Sequence, residues 1–290
     1  MPDITSSGDI NTIAKQMLGP RPENSHKGDF GYIALVGGSL EYSGAIRLAC
    51  MANAAMRAGA GVATVAAPRS ICELIIPQIL ESTVFPLSDK NGEMVFSETE
   101  FFRLSSRYDC IAIGMGIGNT VETGKAVSYL LRNYEGILII DADGLNALAG
   151  MEDRIDILSS SGAEVILTPH PGEYRRLQVS SESAEEFAAA SGAIVLLKGH
   201  TTTVTDGVQT YRITCGCAGM ATAGSGDVLS GILSAVCAGN KDSLLEAVAA
   251  GVYINGLAGE IAEAESSDVT MISSDTANAI KKAILRIRAE

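Results

Sequence analysis

The stretch AGMATAGSGDVLSG, residues 218–231, joins a glycine-rich turn to the start of an apolar helix. Its only charged residue is Asp227, which follows Gly224, Ser225 and Gly226. The first turn of a helix leaves backbone N–H groups unpaired and carries a partial positive charge. Because glycines let a phosphate come close to these N–H groups, the four residues are predicted to form an anion hole.

The carboxylate of Asp227 has two interpretations. It can cap the helix by accepting hydrogen bonds from the first backbone N–H groups. It can instead act as a general base that takes the proton from a hydroxyl beside the phosphate being transferred. A cap leaves the glycines and the preceding AGMATA unexplained, so the sequence favours the general base.

Short β-branched runs alternate with segments of helical period along most of the chain. Near-continuous apolar strands flanked by helices predict an α/β fold with a mostly parallel sheet covered on both faces. The predicted strands are 32–38, 62–68, 110–116, 136–143, 164–169 and 193–199, and the predicted helices between them are 45–60, 120–134 and 183–192.

The pattern changes after Gly199. TTTVTDG followed by VQTYRIT predicts an antiparallel hairpin with Asp206 and Gly207 at its turn. Because no linker or charge block divides the chain, we expect one domain over residues 1–290, with a partly helical extension at 1–25. Three further helices are predicted, at 223–238, 243–264 and 274–288.

Composition limits the class of partner. With 21 Lys and Arg against 34 Asp and Glu, the net charge of −13 argues against nucleic acid and membrane surfaces, which attract clustered positive charge. The N-terminus lacks the features of a signal peptide, and no apolar run is long enough to cross a bilayer. We therefore expect a cytoplasmic protein with six reduced cysteines, although Cys215 and Cys217 could bind a metal or form a disulfide.

Several predicted strands end in Gly, Asp, His or Lys. Ligands of open α/β sheets bind beyond the carboxyl ends of the strands, so these ends predict a cleft. The P-loop motif G-x-x-x-x-G-K-[ST] is absent, and GMGIGN at 114–119 has Asn119 where a dinucleotide-binding loop has its third glycine. The cleft is therefore not that of a P-loop NTPase or a standard Rossmann enzyme.

The sequence resembles the ADP/ATP-dependent NAD(P)H-hydrate dehydratases of the ribokinase-like superfamily. HPGE at 170–173 together with GMATAGSGDVL at 219–229 is specific to that family, whereas the anion loop alone indicates the superfamily. The resemblance implies a ribokinase-like three-layer αβα sandwich. Further matching motifs are HKGDFGYIALVGGS (26–39), SGAIRLACMANAAMRAGAGVATVA (43–66), IGMGIG (113–118), DADGLNAL (141–148), LKGHTT (197–202) and GVYINGLAGEIA (251–262).

The resemblance also implies a reaction. It is the dehydration of the S-epimer of NADHX or NADPHX to NADH or NADPH, through phosphorylation of the hydrate hydroxyl by ADP or ATP and loss of phosphate, with Mg²⁺ and in a homotetramer. The implied hydrate contacts are Ala45, Gly116, His170 and Asp227, and the implied nucleotide contacts are Lys198, Gly199, His200, Thr201, Thr202 and Gly226.

The chain departs from the family pattern at three places. Cys217-Ala218 stands where the family often has Asn-Pro, Met115 where it often has proline, and Asn255 where it commonly has histidine. Two other functions stay open: a kinase of the same fold that phosphorylates a vitamin precursor, and a non-catalytic nucleotide sensor. Some relatives carry an epimerase domain, for which we expect no room before His26.

Overall fold

A nine-stranded sheet forms the centre of the computed structural model, which describes residues 7–51, 54–178 and 183–290. Its order is β11-β10-β9-β8-β7-β6-β1-β2-β3, and β4 and β5 form a separate pair. The strands are β1 (Tyr32–Val36), β2 (Val62–Pro68), β3 (Thr83–Leu87), β4 (Asp89–Lys90), β5 (Glu93–Met94), β6 (Cys110–Ile113), β7 (Ile137–Ile140), β8 (Glu164–Leu167), β9 (Ile194–Leu197), β10 (Thr202–Thr205) and β11 (Thr210–Ile213).

Helices cover both faces of this sheet. In β1, Ile33 and Leu35 belong to one buried cluster and Ala34 and Val36 to the other, as the alternation of side chains along a strand requires. The helices are α1 (Ser7–Met17), α2 (Ser43–Met51), α3 (Ala54–Arg57), α4 (Arg69–Ile75), α5 (Glu98–Ser105), α6 (Val121–Asn133), α7 (Ala142–Ala149), α8 (Arg154–Ser159), α9 (Pro171–Leu177), α10 (Ala184–Ser191), α11 (Ser225–Gly239), α12 (Leu244–Glu265) and α13 (Ser273–Ala289).

The pairing of the strands confirms the predicted fold class. Every neighbouring pair from β9 to β3 is parallel, so their carboxyl ends share one edge of the sheet. Strand β10 runs antiparallel to both β9 and β11, which confirms the hairpin. The turn of this hairpin contains Asp206 and Gly207, and Gly207 has a φ of 88°.

Several predicted boundaries are wrong by a few residues. The strand predicted at 110–116 ends at Ile113, because Gly114 has a φ of 128° and leaves the extended conformation. The strand predicted at 136–143 ends at Ile140, and α7 begins directly after Asp141. The helix predicted at 45–60 corresponds to α2 and α3, with residues 52–53 lying outside the described part of the chain.

Helix α12 is long and apolar enough to cross a membrane by length and composition. Of its most apolar window, taken over Lys241–Glu265, 78% is buried inside the fold. It packs against α1, α11 and α13. A core helix passes the same test of length and hydropathy, and this burial identifies α12 as one.

Candidate active site

The glycine-rich turn before α11 is held in a left-handed conformation. Gly224 is the N-cap residue and has a φ of 93°, which favours glycine. The Ser225 hydroxyl donates to the Met220 carbonyl at 2.7 Å, and the Ser273 hydroxyl donates to the Ala223 carbonyl at 2.7 Å. A Cβ on Gly224 would also collide with Leu48, so this turn excludes side chains for two separate reasons.

The first turn of α11 presents unpaired backbone donors. The Val228 N–H donates to the Gly224 carbonyl at 3.1 Å, whereas the Gly226 and Asp227 N–H groups have no acceptor among residues 7–51, 54–178 and 183–290. Within the same residues, no hydrogen bond to the Asp227 carboxylate is formed, and the N-cap position is held by Gly224. Asp227 is therefore not the helix cap, and the capping interpretation is wrong.

A buried ion pair lies beside this turn. Lys198 follows β9 and Asp141 follows β7, so the parallel sheet brings both to its carboxyl edge. Lys198 Nζ is 2.9 Å from Asp141 Oδ1, and Asp141 Oδ2 accepts a hydrogen bond of 2.7 Å from the Ser230 hydroxyl on α11. These contacts connect the carboxyl ends of β7 and β9 to α11, the helix that carries Asp227.

The charges of this network determine its protonation. Burial by itself raises the pKa of Asp141, but Lys198 and Ser230 outweigh it and hold that pKa below its ordinary value. Burial by itself lowers the pKa of Lys198, but the negative charges of Asp141, Glu173 and Asp227 outweigh it and raise the pKa. At neutral pH the pair is therefore an ammonium and a carboxylate.

Asp227 differs from both partners of that pair. Burial, followed by repulsion from Asp141, raises the pKa of Asp227 to about 7, and Lys198 offsets part of this effect. A general base is most effective when its pKa lies near the working pH. Asp227 can thus accept a proton at neutral pH.

Two cavities meet at the start of α11. One, of about 510 Å³, is lined by Gly224 and Asp227 together with Ala45, Gly116 and Asp143. The other, of about 470 Å³, includes Ser225 from the same turn. Its further lining includes Lys198, Gly199, His200, Thr202, Gly226, Val252 and Asn255. A group transferred between the cavities would pass the unpaired N–H groups.

Two of the predicted contacts do not line either cavity. His170 is the N-cap of α9, and its Nδ1 accepts hydrogen bonds from Gly172 N at 2.9 Å and Glu173 N at 3.3 Å. The Thr201 hydroxyl lies 3.0 Å from that of Thr214. The structure brings together the other predicted residues, Ala45, Gly116 and Asp227 in one cavity and Lys198, Gly199, His200, Thr202 and Gly226 in the other.

Hydrogen bonds fix the two loops, at Met115 and at Cys217-Ala218, where the family that the sequence resembles often has proline. The buried Met115 accepts a bond of 2.8 Å on its carbonyl from Gly38 N. The next residue, Gly116, lies so close to α2 that a Cβ would come within 2.8 Å of Ala45 Cβ. Beside Cys217, Gly219 N donates to Glu263 at 2.7 Å.

A cavity with other lining lies elsewhere, between α6, α7 and α8. Its volume is about 860 Å³. None of the residues predicted for the hydrate or the nucleotide lines it. Its Arg132 and Asp153 form an ion pair with each other at 3.3 Å. The chemistry therefore centres on the smaller cavities beside Asp227.

The six cysteines are in states that disfavour a disulfide or a metal site. All six are free, with four buried and Cys215 and Cys217 partly exposed. Burial and the neighbouring Glu260 raise the pKa of Cys215 to about 12, which disfavours the thiolate that metals require. Across the described ranges no three His, Cys, Asp or Glu side chains gather as a metal site.

Sequence reasoning did not single out three polar residues of the site. Asp141 stands in the DADGLNAL motif, but its pairing with Lys198 depends on the sheet order. Ser230 lies one turn beyond Gly226 on α11, and that spacing is the signal that could have identified it. Asp143 lines the cavity beside Asp227, and its carboxylate accepts a hydrogen bond of 2.9 Å from Gly118 N.

Comparison with known proteins agrees with this geometry. A family model described as NAD(P)H-hydrate dehydratase matches residues 33–282. The bifunctional NAD(P)H-hydrate repair enzyme Nnr of Pyrobaculum aerophilum is 39% identical over 261 residues, which cover 84% of this chain and 49% of that protein. This chain thus spans about half the length of the bifunctional curated relatives it matches. The ADP-dependent (S)-NAD(P)H-hydrate dehydratase of Staphylococcus aureus is 32% identical over 259 residues, covering 87% of this chain and 88% of that one.

Solved structures extend the comparison to the fold. The ADP/ATP-dependent NAD(P)H-hydrate dehydratase of Bacillus subtilis, co-crystallised with ATP and Mg²⁺, superposes with a TM-score of 0.80 at 27% identity, covering 96% of this chain and 97% of that one. A ribokinase from Thermotoga maritima, with a TM-score of 0.57 at 15% identity over 90% of this chain and 100% of that one, shares the fold alone. The sandwich is therefore ribokinase-like, and the chain belongs to the NAD(P)H-hydrate dehydratase family.

Proposed function

We propose that this chain dehydrates the S-epimer of NADHX or NADPHX to NADH or NADPH at the expense of ADP or ATP. One observation carries the proposal: Asp227, with a pKa of about 7, lines one cavity, while the unpaired N–H of Gly226 faces the adjoining one. The names of the Staphylococcus aureus and Bacillus subtilis relatives support the same reaction.

We assign the hydrated nicotinamide ring to the 510 Å³ cavity and the nucleotide to the 470 Å³ cavity. Ala45, Gly116 and Asp227 would contact the hydrate. Lys198, Gly199, His200, Thr202 and Gly226 would contact the nucleotide, with the transferring phosphate at Gly224, Ser225, Gly226 and Asp227. His170 and Thr201 would contact those parts of the ligands that extend beyond the cavities.

Phosphorylation makes the elimination possible at neutral pH. Hydroxide is a poor leaving group, whereas phosphate is a stable anion with a second pKa near 6. Asp227 takes the hydroxyl proton while the hydroxyl oxygen attacks the terminal phosphorus, and AMP or ADP departs with the electrons of the broken P–O bond. The unpaired N–H groups of the turn stabilise the charge that develops on the phosphoryl oxygens.

The second stage needs no further nucleophile. The lone pair on the ring nitrogen forms a C=N bond as the C–O bond breaks and phosphate leaves. Loss of a proton from the neighbouring ring carbon then restores the dihydronicotinamide. The balanced reaction with ADP is hydrate plus ADP giving NADH, AMP, phosphate and a proton.

The residues fit Mg²⁺ carried mainly by the nucleotide. Mg²⁺ commonly uses one or two carboxylates together with substrate phosphates and water, so a dedicated protein cage is unnecessary. Glu173 is buried, and its charge acts on Lys198. We propose that Glu173 faces the ion, which would neutralise phosphate charge.

The number of domains, the number of subunits and the cellular location are also proposals. Helices α1 and α13 pack into the same buried cluster as the sheet and α11, which supports a single domain. The family resemblance supports a homotetramer in the cytoplasm. Sedimentation of the purified chain would measure the subunit number.

Following the dihydronicotinamide absorbance tests the reaction directly. The chain is incubated with (S)-NADHX, Mg²⁺ and either ADP or ATP, and AMP or ADP and phosphate are quantified. We expect the absorbance to return only with nucleotide, with one phosphate released per NADH. Nucleotide consumption that yields a stable phosphorylated product without NADH would identify a small-molecule kinase instead. Nucleotide binding without any phosphate release would identify a sensor.

A further inference from the structure

The amide oxygen of Asn255 on α12 is buried without a partner among the described residues. Asn255 is 8% exposed, and its Oδ1 has no hydrogen-bond partner in the part of the chain that the structure describes. An unpaired polar group in a protein interior costs about 1–3 kcal/mol. A ligand that completes the hydrogen bonding of this amide would remove that cost.

Asn255 lines the same 470 Å³ cavity as Lys198 and Gly226. Two other polar groups in its lining are already paired: the Thr214 hydroxyl lies 3.0 Å from that of Thr201, and Gly216 N donates to Glu260 at 3.0 Å. The apolar residues Leu229, Met220 and Val252 also line the cavity. Apolar walls with a free amide suit a flat heterocycle with a polar edge.

We propose that Asn255 reads the base of the nucleotide and selects adenine. This inference rests on the proposed function, in which the cavity holds ADP or ATP. An amide offers one donor beside one acceptor, and adenine offers the complementary N6 amino group beside its N7 acceptor. Half a turn about the Cβ–Cγ bond exchanges Oδ1 and Nδ2, so the amide can match either order of these groups.

The same chemistry rejects a base with a 6-oxo group. On the edge that carries N7, hypoxanthine and guanine present two acceptors, O6 and N7, where adenine presents a donor beside an acceptor. The amide can then satisfy only one of the two atoms, and its own oxygen faces another acceptor. Because the amide is buried, water cannot replace the missing hydrogen bond, and selectivity of about tenfold or more follows.

Calorimetric titration with ADP, IDP and GDP measures this selectivity in the absence of any hydrate. For the unaltered chain we expect ADP to bind about tenfold or more tightly than IDP or GDP. Asn255→Leu keeps the side-chain size but loses both amide groups, so ADP should weaken about tenfold to the level of IDP.

Two controls separate base recognition from damage to the fold. Asn278→Leu replaces an exposed amide on α13 and should leave all three dissociation constants unchanged. Asn255→Leu removes an unpaired polar group, so its thermal midpoint should equal or exceed that of the unaltered chain.

A preference for ADP over IDP that survives Asn255→Leu would overturn the inference, as would equal binding of the three nucleotides by the unaltered chain. If none of them binds, the inference and the proposed function both fail. If ADP binds selectively through Asn255 but no hydrate is converted, the inference stands and the proposed reaction fails.

Discussion

Two carboxylates near the start of α11 differ in the groups around them. Asp141, at the end of β7, is 2% exposed and contacts Lys198 and Ser230. Asp227, in the first turn of α11, accepts no hydrogen bond from the described residues. The pKa of Asp141 is lowered and that of Asp227 is raised to about 7, although burial alone would raise both.

The difference lies in hydrogen bonding and charge, since burial is common to both. Asp141 has a cation and a hydroxyl that stabilise its ionised form, so it remains a fixed negative charge. That charge, in turn, repels a second one on Asp227. Environments that separate the pKa values of neighbouring acids assign them different roles. The paired carboxylate keeps its charge at neutral pH, whereas the unpaired one has the pKa that our proposed general base needs.

Asp227→Asn is expected to have the largest effect, and this effect is on catalysis. The substitution removes the proposed base and keeps the size of the side chain. Turnover of the hydrate should fall about 10²–10⁴-fold, the usual contribution of a general base. Steady-state kinetics at saturating nucleotide measure this loss. Undiminished turnover would mean that another group takes the proton.

The next largest effect is expected on stability from Lys198→Met, which leaves Asp141 buried without its cation. Removing one partner of a buried ion pair costs about 3–5 kcal/mol of unfolding free energy. Urea unfolding measures it, and Lys241→Met is the matched control, because the exposed Lys241–Asp109 pair contributes about 0–1 kcal/mol. Equal losses in the two variants would contradict the account of the buried pair. Adding Asp141→Asn to Lys198→Met should restore part of the stability.

Asp227→Asn should also stabilise the chain. A pKa raised above the ordinary value of 3.8 means that folded-state stability falls as pH rises from about 4 to about 7. The asparagine variant escapes this fall, so it should be more stable by about 4 kcal/mol at pH 8, with a gain that shrinks toward pH 4. Urea unfolding at pH 8 and pH 5 tests the trend, and a gain independent of pH would contradict it.

The smallest effect is expected from Ser230→Ala. The Ser230 hydroxyl supports the ionised form of Asp141, so its loss should cost about 1–3 kcal/mol at neutral pH. Because a lowered pKa stabilises the fold above the unfolded value, this loss should shrink as pH falls below that value. Ser234→Ala is the matched control: it removes a bond to the neutral Ser230 carbonyl and should show no such pH dependence in urea unfolding.

The central sheet could be predicted because its strands are short, apolar and rich in β-branched residues. Strand β3 was missed because its residues alternate between exposed and buried at the edge of the sheet, and it contains Pro86. Helices α8 and α9 have 6 and 7 residues, too few to display a helical period. Helix α7 was not predicted because the apolar strand β7 ends directly before it.

The site could be predicted in part. The glycines and Asp227 occupy one local stretch, so their chemistry is visible in sequence. Asp141 and Lys198 are 57 residues apart, and only the order β7-β8-β9 brings them together. The raised pKa of Asp227 results first from burial and then from the charge of Asp141, and both depend on the folded structure, so the sequence alone could not predict it.

Carbon-13 NMR of the aspartate carboxyl groups tests the contrast between these two side chains most directly. The titration is recorded for the unaltered chain and for Asp227→Asn without ligands. We predict one carboxyl signal that titrates near pH 7 and disappears in the variant, while the pKa of Asp141 lies below its ordinary value. Titration of every aspartate below about pH 5 would contradict the account.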